Sequence, residues 1–126
     1  MLIKAALNGS RGRHEHDALP LSPASLAREA AAARAAGAGA VHVHARDRFG
    51  RETLEAEHCA DTLNAIRAAN PGLPVGLTTG LWIVKDAVKR LEQIGAWTVP
   101  PDFCSVNFSE DGTSELCQLL QRKGIG

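Results

Sequence analysis

The stretch Ala40-Val41-His42-Val43-His44-Ala45-Arg46-Asp47 decides how this chain reads. Val41, Val43 and Ala45 alternate with His42 and His44, and that period of two marks a β-strand. Residues i and i+2 of a strand share a face. Both imidazoles therefore sit on one side, and the valines cover the other. Two neutral imidazoles at that spacing form half of a site for zinc or a similar divalent ion. The run ends in a polar loop containing Gly50, so the histidines stand at the carboxyl end of their strand, where α/β folds keep their chemistry. The pair is not decisive alone, because His-x-His also occurs on ordinary core and surface strands.

Outward from this strand the chain alternates. Residues 3–8 form a short apolar strand followed by a polar loop. Ser22-Pro23 is a helix start, with serine as N-cap and proline at the first helical position. Residues 24–36 are rich in alanine, the best helix former, and Gly37 stops them. The pattern predicts a second helix over 56–69, with Cys59, Leu63 and Ile66 on one stripe and Asn70-Pro71-Gly72 as its stop. A third strand covers 74–78 and a third helix 83–94. A fourth strand covers 103–107, and a fourth helix 113–123 carries Leu116, Leu119 and Leu120. Strands separated by helices of this length make parallel βα units. No Gly-x-Gly-x-x-Gly turn follows the first strand, which weighs against a dinucleotide fold.

If His42 and His44 face inward, alternation places Asn8, Thr78, Ser105 and Asn107 with them. Ile3, Ala5, Leu7, Leu77, Cys104 and Val106 then face the helices. An inner face that is polar at its carboxyl end fits a (β/α)8 TIM barrel with its site at the top. Such a barrel takes about 250 residues, and this chain has 126. The reading is one partial barrel domain over 1–126, covering the first four βα units. It is expected to be a fragment rather than a pair of self-completing half barrels.

Composition removes other classes. Acidic and basic residues number 14 each, so no basic surplus points to nucleic acid or to a membrane surface. No apolar run approaches the roughly 20 residues a bilayer span needs, and the first residues do not resemble a secretory signal. Tyrosine is absent, which argues against a stacking platform for bases. Cys59, Cys104 and Cys117 are few and widely spaced. They read as buried, reduced thiols of a cytoplasmic protein.

Five motifs, in order, resemble the β-keto acid cleavage enzymes: Leu7-Asn8-Gly9, Leu19-Pro20-Leu21-Ser22-Pro23, His42-Val43-His44-Ala45-Arg46-Asp47, Leu77-Thr78-Thr79-Gly80 and Pro101-Asp102-Phe103-Cys104-Ser105-Val106-Asn107. The resemblance implies a zinc-dependent barrel, usually a homo-oligomer. Its reaction condenses a β-keto acid with acetyl-CoA to give acetoacetate and a new acyl-CoA. His42 and His44 match the family's metal-binding histidines. Thr78 stands where the family has a substrate-contacting Ser or Thr, and Ser105 and Asn107 match polar substrate positions. Asn8 and Arg46 join them as substrate-site candidates.

There are two departures. Where the aminohexanoate-cleaving members carry a glutamate after the first strand, this chain has Arg11, which favours a substrate lacking an ammonium group. The family's third metal ligand and its catalytic Arg-Asp pair belong to later strands, so the catalytic residues are expected beyond residue 126. Two rival readings remain at this point: a metal-dependent barrel hydrolase of amidohydrolase type, and a non-enzymatic half barrel that self-associates. Among other residues, His14 and His16 read as a solvated loop. Lys85, Lys89 and Arg90 read as a solvated basic helix face, and Trp82 and Trp97 as packing residues.

Overall fold

The computed structural model describes residues 1–126. Its strands are β1 (Lys4–Ala6), β2 (Ala40–Val43), β3 (Val75–Thr78) and β4 (Phe103–Ser105), alternating with helices α1 (Pro23–Ala35), α2 (Ala56–Ala69), α3 (Ala87–Gly95) and α4 (Thr113–Arg122). The strands lie in the order β1-β2-β3-β4, all parallel. Chain order and sheet order coincide, as expected when each strand is followed by a helix that crosses back over the same face.

The helices form where the sequence provides their signals. Ser22 caps α1, its hydroxyl accepting from the Ser25 N–H at 3.2 Å, with Pro23 in the first turn. Asp86 caps α3 in the same way, accepting from the Lys89 N–H at 2.9 Å. Cys59, Thr62, Leu63 and Ile66 are the buried stripe of α2. The Asn70 amide ties α2 to α1 by donating to the carbonyls of Ala27 and Ile66, both at 3.1 Å.

One face of the sheet carries the core. Val41, Val43, Val75 and Leu77 meet Leu26, Ala30, Leu63, Ile66, Ile94, Leu116 and Leu120 in a single apolar cluster. Each fully buried aliphatic chain contributes about 1.5–3 kcal/mol to folding. The other face has no helix layer. Cross-strand register aligns Ala6, His42, Gly76 and Phe103 in one row of that face. Gly76 is required there, because a Cβ at this position would lie 2.1 Å from the Phe103 ring. Beyond β4, the Gly126 N–H donates to the Asp102 carbonyl (3.2 Å) and the Gly126 carbonyl accepts from the Cys104 N–H (2.8 Å), the pattern of a further parallel strand.

Several expectations are corrected. The strands are shorter than alternation predicts: β1 ends at Ala6 and β4 at Ser105, so Asn8 and Asn107 lie in the loops beyond them. The expected third helix breaks in two. Residues Leu81–Ile83 form one 3-10 turn, Lys85 takes φ 58°, and α3 begins only at Ala87. Ile3, expected against the helices, is exposed. Cys59 is buried as expected, but Cys104 is half-buried and Cys117 exposed. Arg90 is not on a solvated face; it is fully buried.

Candidate functional site at the carboxyl ends of the strands

His42 and His44 share the inner face, both buried, with ring centroids 5.4 Å apart in an edge-on arrangement. Each has an aromatic neighbour, Phe103 at 6.4 Å from His42 and Trp82 at 6.2 Å from His44. His42 lies within the parallel ladder. His44 lies one step past β2, where backbone pairing with β1 has ended, and Asn8 takes over. Its amide oxygen accepts from the His44 N–H and its NH₂ donates to the His44 carbonyl, each at 2.9 Å. A side-chain amide thus replaces one rung of the sheet and fixes the height of His44. Burial, followed by the neighbouring His44 and Lys4 charges, pushes the His42 imidazole down to about 4; a hydrogen bond to the Leu77 backbone acts in the opposite sense. His42 is therefore neutral near pH 7, the form that ligates a metal.

The other expected residues divide between this site and its frame. The Ser105 hydroxyl is 3.0 Å from His42 Nε2. Thr78 is buried beside it, and its hydroxyl accepts from the Gly80 N–H at 3.2 Å. Asn107 points away to Glu110, donating to Oε1 at 3.0 Å. Arg46 is a buried clamp. Its guanidinium donates to the carbonyls of Gly9 (2.5 Å), Arg11 (3.0 Å) and Gly50 (3.2 Å), joining the loop after β1 to the loop after β2. Arg11 contributes that carbonyl, while the residue is otherwise exposed. His14 and His16 stay in an exposed loop. Between the loop after β2, the start of α1 and the first turns of α2 lies a cavity of about 580 Å³ bordered by Arg13, Arg48, His58, Asp47 and Asp61; Arg46 lines it and the two histidines do not.

Three residues of this neighbourhood escape the alternation pattern. Glu52 Oε1 lies 2.5 Å from His44 Nδ1, and Oε2 accepts from the Trp82 indole N–H at 3.0 Å. Burial raises the Glu52 carboxyl, but hydrogen bonds from His44 and Trp82, together with the charges of His44 and Arg46, outweigh it and hold the group below its ordinary value. Glu110 pairs with buried Arg90 (2.6 Å) and accepts from the Leu81 N–H (3.1 Å), which anchors the turn that carries Trp82. A sequence signal for Glu52 does exist. Asp47 and Gly50 make a tight turn, and Glu52 returns antiparallel opposite Arg46. Residues opposite each other share a face, and Arg46 shares its face with His44.

The separation of the two rings can be set against that of a metal-bound pair. With zinc–nitrogen bonds of about 2.0 Å, two imidazoles on one ion have centroids roughly 5 Å apart, close to the separation found here. No group of three or more His, Cys, Asp or Glu side chains converges in a metal-holding arrangement.

A parallel α/β sheet with its polar side chains gathered at the carboxyl ends of the strands has them where α/β folds place their ligand sites. The family model for beta-keto acid cleavage enzymes matches residues 1–115, and the chain belongs to that family. The 3-keto-5-aminohexanoate cleavage enzyme of Fusobacterium nucleatum subsp. nucleatum is 32% identical over 93 residues, which is 73% of this chain and 34% of that protein. The chain thus spans about a third of the curated relative's length. The apo structure of ObcA aligns with a TM-score of 0.63 at 16% identity, over 85% of this chain and 29% of that one, a likeness of fold. No helix is long and apolar enough to cross a membrane.

Proposed function

We propose that this chain forms the first four βα units of a (β/α)8 barrel that cleaves a β-keto acid against acetyl-CoA, giving acetoacetate and a new acyl-CoA. The observation that carries the reading is the placement of His42 and His44 on the uncovered face of the sheet, within 5.4 Å of each other, in a chain of this family. The strand-like pairing of Gly126 with β4 supports a wall that continues past four strands. In this reading the catalytic acid–base groups belong to later strands of the barrel.

In this reading His42 and His44 hold the metal. A divalent ion there supplies Lewis-acid polarisation of the keto oxygen. Ser105 and Thr78 carry hydroxyls on the same face, suited to holding the substrate carboxylate and orienting the keto group. Asn8 keeps His44 at the right height, and Arg46 holds two loops of the mouth. Arg13 and Arg48 border the cavity behind the loop after β2 and are cationic groups suited to the phosphates of CoA, partly offset by Asp47 and Asp61. Arg11 in place of a glutamate argues against an amino-bearing substrate. A fourth strand bearing Ser105 rather than a lysine ligand disfavours the amidohydrolase-type alternative.

The test is zinc stoichiometry of the purified chain and its variants. The wild-type chain is expected to take up zinc weakly, and His42→Ala and His44→Ala are each expected to lose it. Unchanged zinc content in both variants refutes the metal assignment.

A further inference from the structure

Glu52 lies outside the strands and outside the motifs that mark the family resemblance, yet its carboxylate has three side-chain partners. Oε1 faces His44 Nδ1 at 2.5 Å and accepts from the Ser10 hydroxyl at 3.3 Å. Oε2 accepts from Trp82 Nε1 at 3.0 Å. Ser10 follows β1, Glu52 follows β2 and Trp82 follows β3, so three successive βα loops meet on one carboxylate.

We propose that Glu52 is a positioning residue that fixes His44 as the tautomer protonated on Nδ1, leaving the Nε2 lone pair as the only metal-binding nitrogen of that ring. An ionised carboxylate only accepts hydrogen bonds, so the hydrogen between Oε1 and Nδ1 is carried by the ring. In a neutral imidazole the other nitrogen then holds the lone pair. A carboxylate behind a ligating histidine also makes the ring a stronger base, and removing such a partner typically costs 10–100-fold in metal affinity. Trp82 and Ser10 hold the carboxylate so that it cannot swing away. Gly80 leaves room for this, because a Cβ there would lie 2.3 Å from the Trp82 ring.

The inference rests on the metal reading above, and the experiment separates the two. The chain is labelled with ¹⁵N-histidine, and the tautomer of each ring is read from long-range ¹H–¹⁵N spectra without metal. His44 is assigned by its loss in His44→Ala. Zinc affinity is then titrated for wild type, Glu52→Ala and Trp82→Phe. The expected result is an Nδ1–H tautomer at His44 in wild type and a mixture of tautomers in Glu52→Ala. Zinc affinity should fall 10–100-fold in Glu52→Ala, and by less than that range in Trp82→Phe, which keeps the Glu52–His44 bond. An Nε2–H tautomer in wild type overturns the proposal. So does a folded Glu52→Ala chain with wild-type zinc affinity. If Glu52→Ala does not fold, the wild-type tautomer decides. If wild type shows the Nδ1–H tautomer but takes up no zinc, the metal reading fails and the tautomer lock stands.

Discussion

At the scale of single residues, environment rather than identity sets behaviour. The chain has three cysteines, and only burial distinguishes them. Burial, reinforced by the neighbouring Cys104 and Glu55, pushes the Cys59 thiol up to about 12, and burial pushes Cys104 to about 12 as well. The thiolate is the reactive form, and a raised pKa keeps both groups as thiols at pH 8. Iodoacetamide at pH 8 is therefore expected to modify the exposed Cys117 in the folded protein, and all three thiols in denaturant, as read by intact mass. A native adduct on Cys59 contradicts this. Gly80 offers a second residue-scale test. Its φ of −54° suits any residue, so Gly80→Ala acts through the added methyl alone. That methyl displaces Trp82, breaks its bond to Glu52 and costs about 1–3 kcal/mol of overpacking. The fluorescence change is expected to come from Trp82, because Trp97 is buried and donates to the Leu54 carbonyl at 2.8 Å.

At the scale of elements, the loops are held by polar groups that the helices bury. Arg90 projects from α3 into the turns after β3 and β4. It pairs with Glu110 and donates to the backbone carbonyls of Asp111 (2.5 Å) and Thr79 (3.4 Å). Glu110 in turn holds the Leu81 N–H, so α3 fixes the turn that delivers Trp82 to Glu52. Breaking one side of a buried ion pair leaves the other charge uncompensated, at a cost of about 3–5 kcal/mol. Glu110 keeps some contact with water, which puts Arg90→Met at the lower end of that range. In a domain of this size this is a drop in melting temperature on the order of 10 °C. The double variant Arg90→Met/Glu110→Gln is expected to recover part of the loss, because it removes the stranded charge and keeps an acceptor for Leu81. Equal melting temperatures for the single variant and the wild type are incompatible with this account.

At the scale of the whole molecule, the sheet is covered on one face only. Lys4, Ala6 and Ser105 on the other face are exposed, β1 is an open edge of the sheet, and only Gly126 pairs along β4. All-parallel sheets are ordinarily covered on both faces, and open strand edges template association. The isolated chain is therefore expected to associate in a concentration-dependent way on gel filtration. A monomer at every concentration shows that the open face is tolerated in water and removes the half-barrel argument for it.

What the sequence determined by itself is local and periodic. The alternation Val41-His42-Val43-His44 is enough to put both imidazoles on one face, because strand geometry allows no other arrangement. Ser22-Pro23 likewise locates α1, because a cap and a first-turn proline act within a few residues. The alternation of strands and helices gives a parallel sheet, because short βα connections favour one handedness and one direction. Only the tertiary structure decided the rest. Asp47 and Gly50 signal the turn that brings Glu52 back opposite Arg46, but nothing local brings Ser10 and Trp82 onto its carboxylate from two other loops. The burial of Arg90 depends on the segment after β4 folding over α3. In the sequence, Lys85, Lys89 and Arg90 are equivalent charges on one helix; in the fold, a carboxylate twenty residues away in sequence takes one of them out of water. Periodicity shows which face a side chain takes. The partner it meets there depends on contacts between segments distant in the chain, and no local pattern encodes them.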